Sequence, residues 1–407
     1  MNFINQIAEI KNLYWAWEKA KTFYQPGDIW FDELQVSEFE ANLHTELLYI
    51  QNDILQNKYV LQPIKPVAFP KSKDKEEGPR TRQTFWISVR DQVTWLAVAN
   101  ILGRELDSEM PFWSYGNRLY ISTFYESDSE TGKLELNFGY YRNSTKHTYR
   151  KWSQSWPLYR RHITLTAKYL AKGGSSNDLP EEALEERELE MLKVNDSLRE
   201  QHPLKVKYIK ANYWKNELSG ELYWAGLDLK NFYPQLNLEV VKANIRTYVP
   251  DEPINTLLES LFLFKIQFDG WEDDECEKIK LERTEIYSHM PTGLFVAGFL
   301  ANVAMLKVDK EVNAKLTKQR NIAHFRYVDD HVILATSFDD LVNWIAQYQK
   351  IIEANKIGAD FNTEKTQPQE LADYLKAIKA NNSEDDLGTS KENAKEATKL
   401  DPAFPSP

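Results

Sequence analysis

Apolar residues recur at helical spacing through the first sixty positions. Phe39, Leu43, Leu47, Ile50 and Ile54 follow one another three or four residues apart, and Ser37-Glu38-Phe39-Glu40 has the form of a capping box. The stretch VAFPKSKDKEEGPRTRQTFWIS, from Val67, sets two apolar-aromatic arms around a charged Gly-Pro tip and predicts a β-hairpin. A helix is predicted from about Phe85 to Leu102, with Val89, Val93, Leu96 and Asn100 along one face. LYWAGLDLKNFYPQLN, from Leu222, predicts a strand ending near Asp228 and then a turn into helix. GLFVAGFLANVAML, from Gly293 to Leu306, is almost wholly apolar. As a helix it reaches roughly 21 Å, short of a ~30 Å bilayer core, so it is predicted to be a buried helix. AHFRYVDDHVILATS, from Ala323, predicts two short apolar strands joined by a tight acidic turn. After Pro368 the periodicity fades into a polar, charged, Pro-ended linker or tail. No internal repeat of solenoid period is visible.

Composition narrows the classes. At about 150 residues per domain, 407 residues suggest two or three domains. Hydrophobic residues at 42% and aromatics at 13% exclude a wholly disordered chain. Fifty Lys and Arg less 61 Asp and Glu give a net charge of -11, which excludes a uniformly basic coat but not a local basic groove. The single cysteine, Cys276, excludes an intrachain disulfide and a Cys-based zinc site. Met1 is not followed by a basic and then an apolar stretch, so no signal peptide is read, and a cytoplasmic protein without membrane partners is expected.

One segment departs from the acidic average. RNSTKHTYRKWSQSWPLYRRH, Arg142 to His162, holds six Lys or Arg and no acid, with Tyr149, Trp152, Trp156 and Tyr159 interleaved. These aromatics could be core anchors beneath a solvated face, but the better reading is a second one, a phosphate-tracking strip whose rings are platforms for bases. The second reading makes Arg142, Lys146, Arg150, Lys151, Trp152, Arg160 and Arg161 nucleic-acid contacts. The acidic excess lies in Glu181 to Glu200, in WEDDECE around Cys276 and in the tail.

Asp329 and Asp330 stand between FRYV and HVILA. Two ionised carboxylates that close, flanked by apolar strands, need a strongly cationic partner, and Mg²⁺ favours such hard oxygen donors. An exposed turn is the alternative, because Asp is common in turns. A third carboxylate, Asp228, closes another apolar strand. Strand-end carboxylates from two segments can converge on two metal ions about 4 Å apart, as nucleotidyl transfer requires.

LDLKNFYPQLN, MPTGLFVAGFLAN and FRYVDDHVILA, in that order, resemble motifs A, B and C of reverse transcriptases, the last with Tyr-x-Asp-Asp at Tyr327 to Asp330. FNTEKTQPQ, from Phe361, resembles motif D, SYGNRL, from Ser114, the second fingers motif, and the Lys71 to Arg82 arm the fingers hairpin. The resemblance runs from about Lys71 to Gln369. It implies an α+β fold of right-hand polymerase fingers and palm, the palm a small antiparallel sheet backed by helices. The thumb is expected to be absent or replaced by a helical C-terminal domain beyond this chain, and the stop at Pro407 suggests a truncated chain. Residues 1–205 would be the helical N-terminal region and fingers, 206–370 the palm with an acidic insert near 251–277, and 371–407 the tail.

The same resemblance implies residue roles. Asp228, Asp329 and Asp330, with the Leu229 carbonyl, would bind two Mg²⁺ ions, with Mn²⁺ as a substitute. Tyr233 falls at the steric-gate position that excludes a 2′-hydroxyl, beside Phe232 in the nucleotide site. Lys71, with Arg80 or Arg82, would hold the triphosphate, and Arg118 would contact nucleotide or template. Pro291, Thr292 and Gly293 would line the new base pair, and Lys365 would donate a proton to pyrophosphate. Thr292 stands where motif B usually has Gln, and Ala297-Gly298 replaces a Ser-Pro pair. MPFWSYGNRLY and LDPAFPSP look most like bacterial abortive-infection and other defence-associated reverse transcriptases, some of which work without a conventional template or prime on protein. The expected partners are dNTPs, an RNA or DNA template and primer or nascent DNA, and a helical C-terminal domain or partner subunit, with oligomers allowed. The alternatives are a group II intron-type or retron-type enzyme, an RNA-copying RNA polymerase, which Tyr233 opposes, and a non-catalytic nucleic-acid-binding scaffold.

Overall fold

The computed structural model of the chain describes residues 3–24, 31–70, 81–127, 134–171, 173, 221–230, 232–362, 366 and 368–373. In chain order the elements are helices α1 (Phe3–Ile7), α2 (Ile10–Ala20), α3 (Glu33–Ala41) and α4 (Leu43–Leu55), then strands β1 (Lys65–Pro70) and β2 (Thr81–Trp86). Helix α5 (Val89–Ser108), strands β3 (Ile121–Ser127) and β4 (Leu134–Tyr141), and helix α6 (Trp152–Leu170) follow. After strand β5 (Tyr223–Lys230) come helices α7 (Phe232–Gln235), α8 (Leu238–Tyr248) and α9 (Glu252–Leu261), strand β6 (Phe264–Lys265), helix α10 (Asp273–Lys278) and strand β7 (Ile286–Tyr287). Helix α11 (Ala297–Leu316), strands β8 (Ile322–Tyr327) and β9 (Asp330–Ala335), helix α12 (Phe338–Asn355), and strands β10 (Asp360–Phe361) and β11 (Gln369–Glu370) complete the series.

The N-terminal helices and both expected hairpins form, with β1 antiparallel to β2 and β8 to β9. Three boundaries differ from the sequence reading. Phe85 ends a strand instead of starting a helix, because Ser88 caps α5: its Oγ accepts from the Asp91 N–H (3.1 Å) and donates to the Asp91 carboxylate (2.7 Å). The cap of α3 is Asp32, whose Oδ1 accepts from Leu34 N–H at 2.9 Å, whereas Ser37 lies within the helix and donates to the Glu33 carbonyl. Helix α11 begins at Ala297, four residues after Gly293, whose φ of 114° is incompatible with helix.

The central sheet has the order β10-β5-β9-β8, all antiparallel, and β11 also pairs with β5. Side chains alternate between its faces. His324, Arg326 and His331 face α11 and α12, where they meet Asp309, Asn302, Trp344 and Tyr348. Phe325 and Tyr327 face α6, against His162, Trp156 and Tyr159. The apolar residues of α5 and α11 are buried along most of both helices and belong to the same core as the sheet. Among the described residues no helix is long and apolar enough to cross a membrane.

Candidate active site

Strands β5 and β9 pair so that Asp228 lies opposite Asp330, and β8 and β9 pair so that Tyr327 lies opposite Asp330. Directly opposed residues project to one face, so Asp228, Asp330 and Tyr327 share the side that carries α6. Both aspartates are half-buried. Asp329 sits in the two-residue turn with Val328, whose φ is 62°. A β-branched residue in the left-handed region costs of order 1–3 kcal/mol, so the surroundings must hold it there. Leu229 N–H donates to the Asp329 carbonyl (3.3 Å), and Arg326 donates to the Val328 carbonyl (3.3 Å).

Arg326 is fully buried behind this turn. It donates to both carboxylate oxygens of Asp309 (3.2 and 2.5 Å) and to Asn302 Oδ1 (2.7 Å). Burial pushes the Asp309 carboxyl up, and the Arg326 guanidinium opposes that push. Next to this pair, Trp344 Nε1–H donates to His324 Nδ1 (3.1 Å), so His324 carries its proton on Nε2 and donates to His331 Nδ1 (3.1 Å). Burial first, then the Arg326 charge, pulls His324 down to about 3, and burial also carries His331 well below its ordinary value. Both imidazoles are therefore neutral in the fold. The folded pKa of His324 lies below the ordinary ~6.5, so its contribution is complete above that pH and is lost as pH falls towards about 3. Unfolding free energy should fall by about 2 kcal/mol from pH 6.5 to 5 on account of His324 alone. Urea titrations at the two pH values measure it, and a flat profile would contradict a neutral buried histidine.

The segment before Arg118 docks on the same hairpin. Ser114 bridges Arg326 in parallel, Arg326 N–H donates to the Trp113 carbonyl (2.9 Å) and Tyr115 N–H to the Arg326 carbonyl (2.9 Å). Asn302 Nδ2 donates to the Gly116 carbonyl (2.7 Å), and Asn117 Nδ2 donates to the Tyr233 hydroxyl (3.1 Å). Arg118 itself is 8% exposed. Its guanidinium is occupied by the Asp107 carboxylate and by the carbonyls of Asp107, Pro111 and Ser114. That corrects the expected ligand contact: Arg118 anchors its own loop.

Pro291, Thr292 and Gly293 form a loop gripped from three sides. Phe85 N–H donates to the Thr292 carbonyl (2.8 Å), and Gln92 bridges the Gly293 carbonyl (2.7 Å) and Phe295 N–H (2.9 Å). Tyr149 hydroxyl donates to the Phe295 carbonyl (2.7 Å). A Cβ on Gly293 would overlap the Phe85 carbonyl, and φ is already unsuited to other residues. Gly293→Ala should therefore lower stability by at least ~1–3 kcal/mol in chemical denaturation, and a neutral result would show that the loop can move off Phe85.

Other candidates divide. Phe232 is 2% exposed and is core, not a nucleotide contact, while Tyr233 beside it is half-buried. In the basic segment, Tyr149, Trp156 and Tyr159 are buried, and the last two pack on Tyr327. Those three rings are core anchors and cannot stack bases. Arg160 is buried too, at 4% exposure, which removes it from any outer phosphate track. Arg142, Lys146 and Lys151 are exposed, Lys146 within 3.7 Å of Glu18, and Arg150 is partly covered, with burial and then Arg118 drawing it down to about 10. Lys71, Arg80 and Lys365 lie outside the described residues. Arg82 sits in β2 opposite Phe69, and Trp152 and Arg161 in α6, but their side chains are outside the description.

Asn362 was not singled out by sequence, yet its N–H donates to the Asp228 carbonyl (2.9 Å) and its Nδ2 to Asp228 Oδ2 (3.1 Å). Gln92, Asn117 and Asn302 were missed likewise. Among the described residues no three or more His, Cys, Asp or Glu side chains are gathered as a ready ligand set. What the register brings together is the pair Asp228 and Asp330, with Asp329 next in chain. Their hard oxygens are donors that Mg²⁺ accepts.

No curated protein matches the chain. A family model described as "Reverse transcriptase (RNA-dependent DNA polymerase)" matches residues 148–378, more than half of the sequence, and spans the whole central sheet with its carboxylates. The chain belongs to the reverse transcriptase family.

Proposed function

We propose that the chain is an RNA-directed DNA polymerase that adds dNTPs by two-metal nucleotidyl transfer, with the central sheet as palm and the β1–β2 arm as part of the fingers. The observation that carries this reading is the register that sets Asp228 opposite Asp330, one residue from Asp329, inside the family match. Asp228, Asp329 and Asp330 would hold Mg²⁺. The bound ions would lower the pKa of the attacking hydroxyl and neutralise charge on the departing pyrophosphate.

The chain's own groups supply placement. Asn362 holds one oxygen of Asp228 and so orients that carboxylate, as outer partners of metal ligands do. Arg326 and Leu229 fix the turn that presents Asp329. The Pro291–Gly293 loop, immobilised by Phe85 and Gln92, offers a rigid wall for the incoming base pair. Tyr233 serves as the steric gate, and Lys71, Arg80, Arg82 and Lys365 act on the triphosphate. Arg142, Lys146 and Lys151 remain as phosphate contacts for template or product. A role in phage defence rests on the subfamily resemblance of MPFWSYGNRLY and LDPAFPSP.

Primer extension on RNA and DNA templates, with dNTPs and NTPs in parallel, tests the reading. Preferential dNTP addition is expected. Preferential NTP addition would replace it with an RNA polymerase.

A further inference from the structure

We infer that Asn117 is a positioning residue for the Tyr233 ring and thereby sets discrimination between deoxyribonucleotides and ribonucleotides; this rests on the reading of Tyr233 as steric gate. A ring excludes an added hydroxyl only while it cannot move aside. Tyr233 belongs to a four-residue helix, α7, and is half-buried. Its hydroxyl is tied to Asn117 Nδ2 at 3.1 Å. Asn117 is 3% exposed and adopts φ 52°, a left-handed conformation that asparagine tolerates better than most residues.

Both flanks of Asn117 are fixed. Asn302 holds the Gly116 carbonyl, and Asp107 holds Arg118. The amide itself lies against Gly298 in the first turn of α11, where any Cβ would overlap the Asn117 side-chain amide. The Ala297-Gly298 departure in motif B thus has a local reason: Gly298 leaves the space in which Asn117 reaches the gate. The loop, the gate and the start of α11 form one steric unit, and altering either neighbour of the Asn117–Tyr233 bond should release the ring.

The test measures KM and kcat for single-nucleotide addition of dNTP and NTP by the full chain. Asn117→Gly keeps the positive φ and removes the amide. Gly298→Ala keeps Asn117 but displaces it, and it favours helix. Tyr233→Phe keeps the ring and removes the anchor point. Each should reduce preference for dNTP over NTP by about tenfold, the scale of one lost hydrogen bond, seen as a lower KM for NTP. Asn117→Gly combined with Gly298→Ala should be no worse than Asn117→Gly alone, since the overlap is gone. Unchanged preference in Asn117→Gly and Gly298→Ala, with preference lost in Tyr233→Ala, would overturn the role of Asn117 and leave the gate standing. Unchanged preference in Tyr233→Ala would remove the gate and this inference with it.

Discussion

Asparagine in place of Asp330 should lower nucleotide addition by at least about a thousandfold, the scale of losing a charged transition-state contact, while the unfolding midpoint stays the same or rises. The sign of the stability change is the informative part. Asp228 and Asp330 are direct cross-strand neighbours, and like charges so placed repel. Neutralising one relieves that repulsion at a half-buried position without altering shape, so the metal-free variant should gain a few tenths of a kcal/mol or stay level. Mg²⁺ should raise the melting temperature of the unaltered chain and not that of the variant, because a ligand stabilises only the state that binds it. Asp228→Asn should behave alike. Loss of activity accompanied by a large loss of stability would mean that the carboxylates serve the fold.

The second large effect is structural. Asp309→Ala should cost about 3–5 kcal/mol in urea denaturation, because it strands the guanidinium of a fully buried Arg326. Replacing the pair together, Asp309→Leu with Arg326→Met, should cost less than the single change, since no charge is then left uncompensated. The double variant should still lose polymerisation, because Arg326 also holds the Val328 carbonyl of the turn that carries Asp329. A cost below about 1 kcal/mol for Asp309→Ala would contradict the buried pair.

These two predictions lie on opposite sides of what sequence could show. The β8–β9 hairpin was legible because two short, mostly apolar runs flanked two adjacent carboxylates, and β5 because its apolar run stopped at Asp228. The opposition of Asp228 and Asp330 follows once the two strands pair. The supports were not legible. Arg326 finds Asp309, Asn302 finds Gly116, Gln92 finds Gly293 and Asn362 finds Asp228, across separations that no local pattern encodes. Buried amides of this kind look like ordinary polar residues until the fold brings their partners.

Misreadings had the same origin. Arg118 and Arg160 read as nucleotide and nucleic-acid contacts because sequence reveals charge and not burial. Trp156 and Tyr159 counted as stacking platforms because aromatic rings between basic residues look alike whether they face solvent or Tyr327. The start of α5 was misplaced because Phe85 and Trp86 suit strand and helix equally, and the decision fell to the Ser88 cap.

The most direct measurement is incorporation of labelled dNTPs by the purified chain on a primed RNA template, with Mg²⁺ and with excess EDTA. Extension that requires Mg²⁺ and disappears with EDTA is the result expected of a polymerase built on Asp228, Asp329 and Asp330. Extension that persists in EDTA, or no extension with Mg²⁺ or Mn²⁺ on RNA, on DNA or without template, would contradict it.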